Sequence, residues 1–212
     1  MSSEPTSRRR CIALGTAWVA SLSAPTWLTP ALAQGRVLHP TPPQTEGPFY
    51  PVTLPSDTDF DLLRNASQAD ARGEPAWVEG VVTDTTGVPV SGAVVEIWQC
   101  DHAGHYHHPG DGGRADPAFQ GFGRVTVGRD GRYRFRTLKP VPYTGRTPHI
   151  HIKVKLDRME LLTTQLYVAG EPRNERDFLW RRLGEQDRQA LTIPFRQTAD
   201  GLRAEFPITV QA

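Results

Sequence analysis

Short apolar strands separated by turn residues recur along this chain, and they constrain its fold more than any other feature. The clearest case is residues 123–136, GRVTVGRDGRYRFR, where the dipeptide Asp130-Gly131 separates two strand-like runs. Asp-Gly between such runs is a strong β-hairpin signal. Alternation along the second run places Tyr133 and Phe135 on one face of a strand. We therefore predict a hairpin, with both aromatic side chains facing a core and the arginines facing water.

The rest of the chain supports an all-β fold. The 19 glycines and 19 prolines among 212 residues are spread between the strand-like runs, as tight turns require. Only residues 174–191 have a helical pattern, with Asn174 as the predicted N-cap. The pattern is typical of a β-sandwich with one short helical excursion near 174–191. The other predicted strands are residues 77–82, 92–99, 149–156, 163–168 and 204–210.

The first 33 residues have the features of an export signal. Three consecutive arginines at 8–10 precede an apolar stretch, and the motif ALA ends at residue 33 as a small-residue cleavage site. Consecutive arginines in this position are typical of twin-arginine signals, and two prolines within the stretch argue against a membrane anchor. We expect residues 1–33 to be a signal peptide and residues 34–212 to form a single domain, exported to the periplasm or secreted.

Charge and cysteine content exclude several function classes for residues 34–212. Removing the three arginines and one glutamate of the leader from 24 basic and 23 acidic residues leaves 21 and 22. Such balanced charge argues against nucleic acid or an anionic membrane as a partner. Cys100 is the only cysteine in this part of the sequence, so we expect no internal disulfide. We expect Cys100 itself to be a small buried residue. The oligomeric state is left open.

Two histidines, His149 and His151, begin the strand predicted at 149–156. Side chains at i and i+2 lie on the same face of a strand, so the two imidazoles stand side by side. Lys153 and Lys155 continue that face, and we expect it to return to solvent there. The spacing alone suits either a metal site or ordinary polar surface.

Nearby tyrosines favour the metal site. Tyr143 and Arg146 precede the histidine pair, and Tyr106 lies in residues 100–121, a segment without strand or helix periodicity. Imidazoles combined with phenolates suit an oxidised iron, whereas zinc more usually takes a third histidine, a carboxylate or cysteines. The same segment contains four histidines that leave zinc open as an alternative: His102, His105, His107 and His108.

These motifs together resemble the intradiol ring-cleavage dioxygenases, the family of protocatechuate 3,4-dioxygenase and catechol 1,2-dioxygenase. The resemblance implies a β-sandwich enzyme that binds one ferric, non-haem iron and takes a small aromatic diol and O2 as substrates. It rests on TEGPFY at 45–50, Trp-Gln at 98–99 followed by Gly-x-Tyr, Pro-Tyr at 142–143, Arg-x-x-His-x-His at 146–151 and TTQLYV at 163–168.

The resemblance also implies roles for individual residues. Tyr143 matches a ligand that leaves the metal when the diol binds and can then accept a proton. Arg146 matches an arginine that stabilises charge on the activated ring, and Gln165 matches a supporting glutamine. The implied reaction inserts both atoms of O2 and opens the ring between the two hydroxylated carbons, giving a cis,cis-muconate-type diacid. The implied iron ligands, completed by a hydroxide, are Tyr106, Tyr143, His149 and His151.

Other function classes stay open at this stage. Residues 78–98 also resemble transthyretin-like and carboxypeptidase-regulatory-like modules, which are not catalytic, because strand-turn-strand patterns are shared among unrelated functions. A zinc hydrolase, or a metal-binding protein without turnover, would keep the same pocket. We expect Trp98 and Gln99 to be buried beside the site, and Tyr50 to pack near its mouth without a catalytic role.

Overall fold

The computed structural model describes residues 37–69 and 71–212, so the predicted signal peptide lies outside the described residues. The described strands form two sheets of five strands each, and their inner faces share one apolar core. The predicted β-sandwich is therefore confirmed. The strands are β1 (Pro75–Asp84), β2 (Val94–Trp98), β3 (Phe122–Thr126), β4 (Arg132–Leu138), β5 (His149–Leu156), β6 (Met159–Val168), β7 (Thr192–Ile193), β8 (Arg196–Thr198), β9 (Gly201–Glu205) and β10 (Ile208–Val210).

Strand β1 organises the first sheet and strand β5 the second. Along one edge β1 pairs antiparallel with β4, and along the other it pairs in parallel with β9 and then with β10. The second sheet has the order β3-β2-β5-β6-β7. Ile150, Ile152 and Val154 of β5 are fully buried in the shared core, so the alternate residues of β5 lie on the opposite face of the sheet.

The hairpin predicted at 123–136 does not form. Strand β3 pairs with β2 whereas β4 pairs with β1, so the turn links the two sheets. Tyr133 and Phe135 are buried as predicted, because alternation fixes which face is apolar without selecting the partner strand. Gly131 has φ +68°, and a Cβ there would lie 2.6 Å from the Val82 carbonyl oxygen. The Asp-Gly signal therefore identifies a tight turn correctly but not its strand partners.

Two predictions near the C-terminal end need correction. The run at 204–210 is two strands, β9 and β10, separated by Phe206 and Pro207. Proline has no N–H for a ladder hydrogen bond, which explains a break at this point. The segment 174–191 contains a shorter helix than predicted, because two single 3-10 turns precede it. The 3-10 turns are Pro172–Arg176 and Trp180–Arg182, and the α-helix, α1, is Glu185–Leu191.

Asn174 is not the N-cap that the sequence predicts. Glu171 caps the first 3-10 turn, where its side chain accepts from the Arg173 N–H. The Asn174 side chain is buried, accepts from the Thr147 hydroxyl at 2.7 Å and donates to the Val168 carbonyl at 2.9 Å. It therefore fastens this turn to the end of β6 and to the residues before β5.

Within the described part of the chain, no helix is long and apolar enough to cross a membrane.

Gly80 of β1 lies close to the chain that joins β9 to β10. A Cβ at Gly80 would lie 2.1 Å from the Phe206 carbonyl oxygen, which also accepts from the Tyr133 hydroxyl at 2.6 Å. We predict that Gly80→Ala lowers the free energy of unfolding by about 3 kcal/mol, because the backbone must move apart. Gly184→Ala is the matched control, since no atom lies within 4 Å of its added Cβ. Urea unfolding checks this; equal losses in both variants would contradict it.

Candidate metal centre

The two histidines of β5 are buried with their ring nitrogens facing each other. His149 and His151 are each 1% exposed, and their Nε2 atoms lie 3.2 Å apart. The His149 Nδ1 lies 2.7 Å from the Thr147 carbonyl oxygen; because a carbonyl only accepts, Nδ1 carries the proton and Nε2 keeps a free lone pair. Burial, with Arg146 nearby, lowers the pKa of His149 to about 3. Burial likewise lowers the pKa of His151 well below its ordinary value, so both rings are neutral at physiological pH.

Two tyrosine rings complete a cluster with the imidazoles. Tyr106 is 2% exposed and meets Tyr143 edge to face with ring centroids 5.2 Å apart. The Tyr143 centroid lies 5.4 Å from that of His149, and the Tyr106 centroid lies 6.3 Å from that of His151. The structure thus brings together the four residues that the family resemblance implies as ligands. Tyr143 is only partly buried, and exposed residues follow it at 144 and 145.

The two phenol groups lie in surroundings where a nearby cation would stabilise their ionised form. The buried Tyr106 hydroxyl has no hydrogen-bond partner among residues 37–69 and 71–212, which is costly for a polar group. Burial raises the pKa of Tyr106 well above its ordinary value and also raises the pKa of Tyr143. Each phenol would therefore ionise at neutral pH only beside a strong positive charge, such as a metal ion.

The loop histidines do not complete a zinc site. His105 Nδ1 lies 3.3 Å from Asp111, His102 Nδ1 lies 3.8 Å from Asp116, and His107 bonds the Asp116 carbonyl. His108 accepts from the Gly110 N–H. In the described part of the chain, no group of three or more His, Cys, Asp or Glu side chains is placed to hold a metal ion. The side chains that lie beside the two imidazoles and could supply oxygen ligands are thus the two tyrosines.

Arg146 is fixed beside the histidines by a carboxylate that the sequence analysis missed. Its Nε donates to Asp177 at 2.8 Å, its Nη2 donates to Gln165 Oε1 at 2.7 Å, and its Nη1 lies 3.4 Å from His149 Nε2. Asp177 is 1% exposed and also accepts from the Thr147 N–H. The sequence gives no local sign of this contact, because Asp177 lies 31 residues downstream, in the segment predicted to be helical.

Strand register places further polar groups beside the imidazoles. Gln165 faces His151 and Tyr167 faces His149 across the β5–β6 pair. Gln165 Oε1 accepts from the Tyr167 hydroxyl at 3.0 Å, and its amide donates to the Thr45 carbonyl at 2.9 Å. Gln165 therefore links Arg146 to the start of TEGPFY. Tyr167 was not singled out from the sequence, although it lies two residues after Gln165 on the same strand face.

The segment TEGPFY covers the site with aromatic rings. Phe49 stacks on Tyr106 with centroids 4.5 Å apart. Tyr50 meets Trp98 edge to face at 5.0 Å, and Trp98 stacks flat on His151 at 4.8 Å. As expected, Trp98, Gln99 and Cys100 are buried, each 1% exposed. These contacts form a packed wall around the four rings.

Of the two lysines of β5, Lys153 is not exposed as predicted, whereas the Lys155 side chain is 31% exposed. Lys153 is 5% exposed and pairs with Glu46 and, at 2.8 Å, with Glu160. Lys155 lies 2.9 Å from the buried Glu96, which also accepts from the Tyr50 hydroxyl at 2.8 Å. The prediction was wrong for Lys153 because TEGPFY folds over this position, and no periodicity within β5 reveals a covering residue 107 positions away in the sequence.

Comparison with known proteins agrees with the fold. A family model described as Dioxygenase matches residues 45–209 of the chain. Together with the relatives below, this match shows that the chain belongs to the intradiol ring-cleavage dioxygenase family. Membership also answers the alternative of a transthyretin-like module, since the match extends well beyond residues 78–98.

Curated relatives differ in how much of their length this chain spans. Hydroxyquinol 1,2-dioxygenase of Rhodococcus opacus is 37% identical over 150 residues, covering 61% of this chain and 47% of the relative. The protocatechuate 3,4-dioxygenase beta chain of Burkholderia cepacia is 36% identical over 179 residues, covering 77% of this chain and 76% of the relative. The chain therefore spans about half the length of the hydroxyquinol enzyme and three quarters of the beta chain.

Solved structures share the fold. The dioxygenase domain of a dioxygenase–carbohydrate-binding fusion from Streptomyces sp. SirexAA-E matches with a TM-score of 0.63 and 32% identity, over 82% of this chain and 99% of that one. An intradiol ring-cleavage dioxygenase from Tetranychus urticae matches with a TM-score of 0.68, over 82% of this chain and 94% of that one. At 22% identity this match supports the fold alone.

The buried pair of Arg146 and Asp177 provides a stability test. We predict that Asp177→Asn lowers the free energy of unfolding at pH 7 by about 3 kcal/mol, because it leaves a buried guanidinium unpaired. Asp200→Asn is the matched control: it removes an exposed partner of Arg203 and should cost less than about 1 kcal/mol. Denaturant unfolding measures both.

The same pair predicts a pH dependence. Despite burial, hydrogen bonds from Arg146 and the Thr147 N–H lower the pKa of Asp177. A lowered folded-state pKa adds stability above the unfolded-state value of about 3.9 and loses it as the pH falls towards the folded-state value. The stability difference between wild type and Asp177→Asn should therefore shrink below about pH 4. A difference that stays constant from pH 7 to pH 3 would contradict the assignment.

Proposed function

We propose that this protein is a ferric, non-haem intradiol dioxygenase. It cleaves a catechol-type aromatic diol between its two hydroxylated carbons with O2 and releases a cis,cis-muconate-type diacid. The observation that carries the proposal is the convergence of two neutral imidazoles and two phenols in a chain of this family. A metal-binding protein without turnover would keep the same rings, and the experiment below separates the two.

The donor set fits an oxidised iron. The two Nε2 atoms lie 3.2 Å apart, close enough for both imidazoles to bind one metal ion. Phenolates are hard donors that suit ferric iron, and the cation would compensate the raised pKa values of both phenols. When bound, the iron would withdraw electron density from the diol and make its ring reactive towards O2. Under this proposal the residues that hold it are Tyr106, Tyr143, His149 and His151.

The two tyrosines differ in their freedom to move. Tyr106 is packed beneath Phe49 and buried, so it keeps its place throughout. Tyr143 is partly exposed and precedes the exposed residues 144 and 145, so its side chain can swing away when a diol enters. Burial raises the pKa of Tyr143, so as a phenolate it would be a strong base that can take a proton from a diol hydroxyl.

Arg146 and Gln165 prepare the charge of the site. Arg146 places a guanidinium beside His149, where it stabilises negative charge that develops on the diol during the reaction. Gln165 holds one side of that guanidinium and Asp177 holds the other. Such fixed donors act without reorganisation at the moment of reaction, which is why we assign Arg146 a catalytic role and Gln165 a supporting one.

We also propose that the protein acts outside the cytoplasm. The support is the leader at 1–33, with its consecutive arginines, apolar stretch and small-residue motif. A twin-arginine signal is suited to a protein that folds and takes up its cofactor before export. The substrates would then be aromatic diols met outside the cell membrane, such as plant-derived phenols. Finding the active protein only in the cytoplasmic fraction, with the leader intact, would contradict this.

The proposed function is tested on protein purified with iron. We expect a visible tyrosinate-to-iron absorption and, with catechol under oxygen, formation of the ring-opened diacid with uptake of one O2 per catechol. The zinc-loaded protein is the control and should be colourless and inactive. An iron-loaded protein that leaves catechol, hydroxyquinol and protocatechuate intact would contradict ring cleavage.

Tyr143→Phe tests the mobile base. We predict that the variant retains iron but loses about 100-fold in kcat/KM for catechol, because a general base is missing. Tyr133→Phe is the matched control: this hydroxyl bonds the Phe206 carbonyl in the core, so the variant should lose stability while its kcat/KM at low temperature stays unchanged. Wild-type kinetics in Tyr143→Phe would show that the ligand assignment is wrong at that position.

A further inference from the structure

The segment 100–121 has almost no regular structure, yet a buried carboxylate holds it in place. Asp101 is 1% exposed. Its Oδ1 accepts from the N–H groups of Ala103 at 2.8 Å and His105 at 2.9 Å, and its Oδ2 accepts from the Asp116 N–H at 2.7 Å. One side chain thus fastens both the beginning of the segment and a point 15 residues further along.

Ion pairing does not explain this carboxylate. Among the described residues, no lysine, arginine or histidine forms a salt bridge with Asp101, and its charge is met by three backbone N–H dipoles. Charge-assisted bonds of this kind are roughly twice as strong as neutral ones. Asp101 therefore acts as a clamp on the backbone.

A second carboxylate reaches the backbone of Tyr106 itself. Asp111 Oδ2 accepts from the Tyr106 N–H at 2.7 Å, while the same oxygen lies 3.3 Å from His105 Nδ1. Asp101 holds the neighbouring His105 N–H, so two consecutive backbone amides, at 105 and 106, are fixed by buried or half-buried carboxylates. The Tyr106 hydroxyl, in contrast, has no partner in the described structure. The backbone of this residue is thus anchored while its side chain is left available.

We propose that Asp101 and Asp111 are positioning residues that hold Tyr106 where a metal ion can use its oxygen. The proposal rests on the proposed function, because that function makes Tyr106 a ligand. Metal sites require ligand placement to within about 0.5 Å. Five glycines in the segment, at 104, 110, 112, 113 and 121, would otherwise let the chain adopt many conformations. The carboxylates remove that freedom without adding a strand or a helix.

The choice of variants follows from which oxygen accepts each bond. Asp101 uses both oxygens, so Asp101→Asn turns one acceptor into an NH2 group that faces an N–H. Asp84 also accepts from three donors in a turn after β1, but all three bonds end on its Oδ1. Asp84→Asn can keep them and is the matched control. Only one oxygen of Asp111 accepts the bond from the Tyr106 N–H. Asp111→Asn can therefore keep this hydrogen bond, whereas Asp111→Ala removes it.

The first measurement is amide hydrogen exchange on the metal-free proteins. We expect the Tyr106 amide to exchange about tenfold faster or more in Asp111→Ala, and the amides of 103, 105 and 116 to exchange faster in Asp101→Asn. Asp84→Asn and Asp111→Asn should match wild type in this segment. This measurement needs no iron, so it decides whether the carboxylates hold the segment even if the proposed function fails.

The second measurement is iron binding. We expect the dissociation constant for iron to rise by about 10- to 100-fold in Asp101→Asn and Asp111→Ala, with the visible absorption shifted towards that of Tyr106→Phe. Asp111→Ala keeps the test decisive if Asp101→Asn does not fold. Wild-type iron affinity and absorption in Asp111→Ala, or wild-type exchange at Tyr106, would overturn the proposal.

Discussion

The site depends on a strand face that is polar and yet buried. On β5 the outer row reads His149, His151, Lys153, and each of these side chains is at most 5% exposed. A buried polar group must find a partner or destabilise the fold. The lysine finds two glutamates, and Arg146 finds Asp177, but the two imidazoles chiefly face each other. The tyrosines beside them add a phenol without a partner. A metal ion bound by these four rings would satisfy all of them at once.

The rest of the architecture serves to close this face. The antiparallel register of β6 brings Gln165 and Tyr167 opposite the histidines, and β2 lays Trp98 flat on His151. TEGPFY then covers the row through Gln165, Lys153 and the aromatic stack. Because these contacts come from distant parts of the chain, the site is assembled only when the sandwich is complete.

Sequence reasoning reached the fold and the four rings but not the covering contacts. The alternation of apolar and polar residues correctly placed Tyr133 and Phe135 in the core, because the face to which a side chain points is a local property of a strand. It failed on their partner strand, on the split at Pro207 and on Lys153, because pairing and covering depend on segments far away. Asp177 and Tyr167 were missed for the same reason. The loop around Tyr106 has no periodic pattern in its sequence. Only the structure shows the carboxylates that accept hydrogen bonds from its backbone.

The central claim is that phenolate oxygens and imidazole nitrogens of these four residues bind one ferric iron. Resonance Raman spectroscopy, excited in the visible band of the iron-loaded protein, tests it most directly, because only vibrations of groups bonded to the metal are enhanced. The account predicts tyrosinate ring modes that weaken in Tyr106→Phe and in Tyr143→Phe and vanish in the double variant. Bound iron without tyrosinate modes, or modes that persist in the double variant, would contradict it.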